Sequence, residues 1–330
     1  MIISVKDGIS SYDVCVEQIT QICGQNIPVK SFIINSLCKY FSADKYFEYE
    51  EKLIDNIFID GENPGRKMWE CMYVATIEDI VQFMQLGRKS VVNKVIKECL
   101  TTFDNQAELL EIDNILISIL DRINKEYLGS ERLELQYEPE DILSVVCNTS
   151  VKTREGKDIH ELTAWELFNE FIDMLEKLQV KVPDKRLIVF ENIDHFLTRD
   201  QYIGFVDKCE NIAYGNNIWF IFSTSLKGYL YCSEEYIESI NIVNDEMFSI
   251  GSVEKMVEYV GSSYPINKKL RKEEIMDLLP EIVQQIGNKD AIDEVENQVI
   301  LKLINSSMGF RYKWRKEPKD AEIRYLMDDV

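Results

Sequence analysis

The stretch Ile19–Phe41, ITQICGQNIPVKSFIINSLCKYF, has the pattern of a buried strand, a loop and a helix. Gly24, Lys30 and Ser31 stand at the spacing of the phosphate-binding motif G-x-x-x-x-G-K-[ST]. A valine occupies the second glycine position, and a proline precedes it. A β-branched residue resists the backbone conformation that turns amides onto phosphate, and proline has no N–H. The stretch therefore predicts a degenerate P-loop on an NTPase-like scaffold.

Two interpretations exist for Lys30 and Ser31. In a working site, the Lys30 ammonium would bind the β- and γ-phosphates and the Ser31 hydroxyl would bind Mg²⁺. In the alternative, Ser31 belongs to a helix N-terminus and Lys30 is a solvated charge beside it. Pro28 and Val29 favour the alternative, so we expect no bound nucleotide.

Later apolar runs predict four more buried strands of a parallel sheet, because runs rich in Val, Ile and aromatics are typical of strands covered on both faces. They are Met72–Ile77, Leu187–Phe190, Ile218–Phe222 and Ile240–Val243. Glu191 follows the second run, where a Walker B strand ends in aspartate, so we interpret it as a degenerate Walker B residue. The alternative is an ordinary strand-end residue. Ser223–Ser225 stand where related ATPases place a polar sensor.

The predicted fold class is α/β, with a degenerate P-loop NTPase-like parallel sheet as its head. We divide the chain into a first head part (1–84), an α-helical leg insertion (85–180), a second head part (181–250) and a C-terminal helical extension (251–330). In the insertion, Ile112, Ile115, Leu116 and Ile119 fall on one helical face.

Composition limits the function classes. The net charge of −21 opposes passive attraction to nucleic acid, so DNA binding would need segregated basic groups or divalent cations. No apolar run reaches the ~18 residues of a membrane span, and no secretory signal is evident. The eight cysteines have no C-x-x-C pair, which favours reduced thiols and a cytoplasmic location. With two histidines and no catalytic spacing, we expect no enzyme activity.

An acidic segment is the candidate metal site. Glu138, Glu140 and Asp141 concentrate carboxylates in a stretch that interrupts the helical pattern. Calcium prefers several flexible oxygen ligands, to which irregular backbone can add carbonyls. The segment therefore predicts a calcium site, and a solvated acidic loop is the alternative.

The best candidate for DNA contact is the helix predicted over Lys89–Thr101. On a helical wheel, its valines share one arc, while Lys94 and Lys97 share the opposite one with Asn93. Such a face, with Lys89 at its start, can dock on phosphates without reading bases. A solvated helix surface is the alternative.

The order of these features resembles a known family. A degenerate P-loop head, a helical insertion and an acidic connection are followed by KRLIVFENIDHFLTRDQYIGFVDKCENI and IWFIFSTS, within Lys185–Ser225. This order resembles the Csn-two family of type II-A CRISPR adaptation proteins, in its longer form with a C-terminal extension.

The resemblance implies a non-enzymatic homotetrameric ring around a channel that admits double-stranded DNA ends. It implies a structural calcium ion in the acidic connection, and spacer acquisition together with the CRISPR integrase and effector nuclease. Two other functions stay open: an active P-loop ATPase or kinase with an unusual loop, and a purely structural protein-interaction module.

Overall fold

A computed structural model describes residues 1–42, 45–87, 90–128, 135–136, 150–226, 228–265, 270–287 and 295–310, together with Glu322 and Tyr325. The strands in this part of the chain are β1 (Ile2–Asp7), β2 (Ser10–Cys15), β3 (Ile19–Cys23), β4 (Ile57–Ile59), β5 (Glu70–Val74), β6 (Arg186–Glu191), β7 (Ile218–Ser223), β8 (Ile240–Val243) and β9 (Met247–Ser249). The helices are α1 (Ile27–Phe41), α2 (Ile77–Met84), α3 (Val91–Leu100), α4 (Phe103–Ile123), α5 (Ala164–Lys181), α6 (Arg199–Ala213), α7 (Val253–Ser263), α8 (Lys272–Ile282) and α9 (Val295–Ser307).

The chain is a mixed α/β protein with a largely parallel sheet. Its main sheet has six strands in the order β5-β6-β7-β3-β8-β9, and all neighbours pair in parallel except β8 with β9. A second sheet, in the order β2-β1-β4, is antiparallel. The chain forms two compact units: a head unit (Met1–Ala75 and Asp184–Val330) and a helical unit (Thr76–Pro183).

The five predicted parallel strands are confirmed. Every residue of β3 and β8 is buried, as is every residue of β6 except Glu191, which explains why these strands are continuous apolar runs. One boundary was wrong: Met72–Ile77 was predicted as a strand, but β5 ends at Val74. The reason is Thr76, whose hydroxyl and backbone exchange hydrogen bonds with Asp79 to cap α2.

The C-terminal region completes the core of the head unit. Ile282, Val283 and Ile286 are fully buried and share one apolar cluster with Ile240 and Ile242 of β8. This cluster lies apart from the one that α1 forms with β1, β6 and β7. The described residues between 251 and 310 therefore pack against β8 and β9 of the main sheet.

The helical unit is built around α5. Its Leu167, Phe171 and Leu175 are buried, and α5 packs on both α2 and α3. The sequence places residues 1–84 in the head, whereas in the structure α2 belongs to the helical unit, because α2 packs its buried Ile80 and Val81 within this unit. None of the described helices combines the length and apolar character that a membrane span requires.

Helix α4 differs from the others because it buries none of its residues within the described part of the chain. The predicted apolar face is present, yet its Ile112, Ile115, Leu116 and Ile119 are exposed. An apolar surface of this length is unusual on a monomer and is typical of protein contact sites.

The shared core predicts that the C-terminal region stabilises the head unit. We expect Ile282→Ala to lower the free energy of unfolding by about 2–5 kcal/mol, since it leaves a cavity at a fully buried site. Denaturant unfolding followed by tryptophan fluorescence measures the change. Ile9→Ala, at a fully exposed site, is the control and should change stability by less than about 0.5 kcal/mol. An equally small effect of Ile282→Ala would contradict the shared core.

Candidate functional site

The loop of the P-loop pattern contains only residues 24–26, between the end of β3 and the start of α1. Helix α1 begins at Ile27, and the Asn26 side chain caps it by accepting from the Val29 N–H at 3.3 Å. Pro28 lies in the first turn, where a missing N–H is tolerated. Ser31 was expected at the helix N-terminus, but it lies in the second turn of α1. The reason is that Asn26 caps the helix five residues before Ser31.

Gly24 allows the loop to approach β8 closely. Its φ of +105° is unfavourable for other residues, and a Cβ there would lie 2.4 Å from the Val243 carbonyl oxygen. The loop is held at this distance by the Asn26 N–H, which donates to the same carbonyl at 3.0 Å. The first glycine of the motif is thus required by packing of the loop on the sheet.

Other groups of the protein accept hydrogen bonds from the backbone N–H groups that would face a phosphate. The Gln25 N–H donates to Asn244 Oδ1 at 2.7 Å, and the Ile27 N–H donates to the Gln25 carbonyl at 3.0 Å. The Lys30 N–H continues the helix by donating to the Asn26 carbonyl at 3.1 Å. An anion at this position would have to displace these acceptors.

Lys30 is buried, so its interpretation as a solvated charge was wrong. Its side chain is 4% exposed, and Nζ donates to the Thr224 carbonyl oxygen at 2.7 Å. Burial lowers the pKa of the ammonium, and the nearby Cys23, Asp194 and Glu191 oppose this shift in part. Lys30 therefore connects α1 to the chain that follows β7.

The degenerate Walker B residue has a protein partner as well. Glu191 is half-buried at the end of β6 and accepts a hydrogen bond from the Tyr73 hydroxyl on the neighbouring strand β5. Three residues on, Asp194 accepts from the Ser225 N–H at 3.2 Å and from the Ser225 hydroxyl. Gly228 is required beside this pair, since a Cβ there would lie 2.4 Å from Asp194 Oδ2.

The structure thus brings Gly24, Lys30, Glu191 and the predicted sensor residues to the carboxyl end of the parallel strands. Thr224 of that sensor segment has a buried hydroxyl for which the described residues supply no hydrogen-bond partner. Among the described residues, no group of three or more His, Cys, Asp or Glu side chains could hold a metal ion.

The other predicted site residues lie elsewhere. On α3, Lys97 is exposed and Lys94 is half-buried, while Val91 and Val92 are buried, so the predicted amphipathic helix is present. Lys89 lies outside the described residues. The acidic residues Glu138, Glu140 and Asp141 also lie outside them, and the calcium site stays a prediction.

Sequence reasoning missed two residues of the loop's surroundings. Tyr73 belongs to no motif. Only its position two residues after Cys71 in β5 indicates that these two side chains lie on the same face of the strand. Asn244 directly follows the apolar run of β8. The available signal was a polar residue at the end of a buried strand, next to the strand that leads into the loop.

Known proteins match this chain in sequence pattern and in structure. The chain matches a model of CRISPR-associated proteins over residues 9–326, described as CRISPR-associated protein Csn2 subfamily St. The chain belongs to this family. Its structure is similar to the crystal structure of Stu0660 of Streptococcus thermophilus, with a TM-score of 0.89 and 23% identity. The match covers 98% of this chain and 99% of that one. No curated protein is significantly similar in sequence.

The contact of Gly24 with β8 can be tested by substitution. We expect Gly24→Ala to destabilise the protein by at least ~3 kcal/mol, because it combines an unfavourable φ with a clash against backbone. Gly8→Ala is the matched control: Gly8 also has a positive φ, but nothing lies within 4 Å of its added Cβ. It should cost about 1 kcal/mol. Equal losses in denaturant unfolding would show that packing on β8 is unimportant.

Burial of Lys30 predicts a specific pH dependence. Because its pKa in the folded state is lowered below 10.5, the unfolded state binds more protons over the pH range between the two values. Stability contributed by Lys30 therefore rises as pH increases towards 10.5. The difference in unfolding free energy between wild type and Lys30→Met should rise in this range. A difference that does not change with pH would contradict the burial of Lys30.

Proposed function

We propose that this protein binds the ends of double-stranded DNA without reading sequence, as a calcium-dependent homotetrameric ring that acts in CRISPR spacer acquisition. Membership of the CRISPR-associated Csn2 family carries the proposal. The partners would be the integrase and effector nuclease of the same system, in the cytoplasm. The head would descend from P-loop NTPases without retaining nucleotide chemistry.

The surroundings of the degenerate P-loop support a non-enzymatic function. Lys30 is already bonded to the Thr224 carbonyl, and Glu191 to the Tyr73 hydroxyl. In an NTPase, these two positions would bind phosphate and Mg²⁺. Here both charged groups form hydrogen bonds with other groups of the protein, which favours a DNA-binding function over phosphoryl transfer.

Helix α3 supports DNA contact through the backbone. Its Lys97 is exposed opposite a buried valine pair, so its charge can approach phosphates without base contacts. In a chain with a net charge of −21, such a contact would depend on local segregation of charge. A ring would place four copies of this helix around one duplex.

Assembly and calcium have separate support. The exposed apolar face of α4 favours burial against another protein surface. The carboxylates of Glu138, Glu140 and Asp141 are oxygen donors of the kind calcium prefers. Calcium would neutralise part of the acidic charge when copies associate.

A DNA-topology experiment tests end binding. We expect the protein, with calcium present, to bind a linear duplex and to bind a closed circle of the same sequence far more weakly, because threading needs an end. Electrophoretic mobility shifts measure both affinities. Equal affinity for the two forms would contradict the proposal. No binding to either form at low salt would favour the interaction-module alternative.

The contact surface can be tested by charge reversal. We expect Lys97→Glu to weaken linear-duplex binding at least about tenfold. It should also reduce the salt dependence of binding, because a complex with fewer phosphate contacts releases fewer counterions. Lys255→Glu on α7 makes the same charge change at another exposed site and is the control. Equal losses in the two variants would show only a general charge effect.

Size-exclusion chromatography with calcium or with EDTA tests whether the tetramer needs the metal. An unchanged tetramer in EDTA would contradict the proposed calcium dependence.

A further inference from the structure

We propose that the C-terminal region orders the Gly24–Asn26 loop in the way that a bound phosphate group orders a working P-loop, with Asn244 as the shared contact. We call this arrangement the Asn244 clamp: Asn244, the loop 24–26 and the segment 283–287. It concerns the head unit alone and does not depend on DNA binding or on assembly.

One side of the clamp holds the loop. The Asn244 side-chain oxygen accepts the Gln25 N–H at 2.7 Å, and its backbone oxygen accepts the Asn26 side-chain amide at 3.1 Å. Beside it, the Val243 carbonyl accepts the Asn26 N–H at 3.0 Å. Two successive loop N–H groups are therefore satisfied by acceptors at the end of β8, at the place where the motif would offer them to an anion.

The other side of the clamp holds the C-terminal region. The Asn244 side-chain amide donates to the Ile286 carbonyl and, at 3.4 Å, to the Gln284 carbonyl. A carboxamide has both an acceptor and a donor, so one buried side chain (6% exposed) bonds the loop and the segment at once. Neither an aspartate nor an alanine could do both.

The segment 283–287 is itself fixed, which lets it position Asn244. The Gln284 side-chain amide donates to the Gly228 carbonyl at 2.5 Å, and the Gly287 N–H donates to Asn305 Oδ1 at 2.8 Å. Ile286 is fully buried in the core that α7, α8 and α9 share with β8. A change in these helices can therefore reach the loop through Asn244 without touching it.

Hydrogen exchange of the full-length protein, followed by mass spectrometry, tests the clamp. In wild type we expect slow exchange of the peptide that covers residues 24–30. Asn244→Ala should accelerate it about tenfold or more, since the acceptor of the Gln25 N–H and both bonds to the segment 283–287 are lost. Asn211→Ala, at an exposed asparagine of α6 that bonds within its own helix, should leave it unchanged.

The decisive variant is Asn305→Ala, because Asn305 bonds Gly287 and makes no contact with the loop among the hydrogen bonds of the described residues. We expect it to accelerate exchange in residues 283–287 and also in residues 24–30. Faster exchange in the segment alone would overturn the proposal, as would an unchanged loop in Asn244→Ala. If Asn244→Ala does not yield folded protein, Asn305→Ala carries the test alone.

Discussion

The close approach of Gly24 to the Val243 carbonyl fixes the position of the loop at the carboxyl end of the parallel strands. Because the loop turns at this point, Asn26 can begin α1 and direct it across the sheet. The position of α1 then places Lys30 under the chain that follows β7. The backbone conformation at Gly24 thus helps to place the buried Lys30 beside its acceptor.

The same arrangement differs from a phosphate-binding site in the partners of its polar groups. Phosphate sites need exposed N–H groups, a free cation and an acid near the strand ends. In this head, protein groups accept hydrogen bonds from the loop N–H groups, a main-chain carbonyl accepts one from Lys30, and a tyrosine hydroxyl donates one to Glu191. These hydrogen bonds join the sheet, helix α1 and the loops beside them.

The sequence predicted the five parallel strands well, since full burial makes them uninterrupted apolar runs. It missed β1 and β2, although Asp7–Gly8 between alternating apolar residues is a hairpin signal. Burial of Lys30 could not be predicted, because its acceptor Thr224 is distant in sequence and is a backbone group. The start of α1 was misplaced because the motif spacing outweighed the Asn-x-Pro capping pattern at Asn26.

Protein groups already bond the loop N–H groups and the Lys30 ammonium, so we expect the P-loop pattern to stabilise the fold and to bind no nucleotide. Isothermal titration calorimetry of the full-length protein with ATP and Mg²⁺ tests it most directly. We expect no saturable heat at any practical concentration, in wild type as in Lys30→Met. Saturable binding in wild type that Lys30→Met abolishes would contradict it and would show that Lys30 leaves Thr224 to bind phosphate.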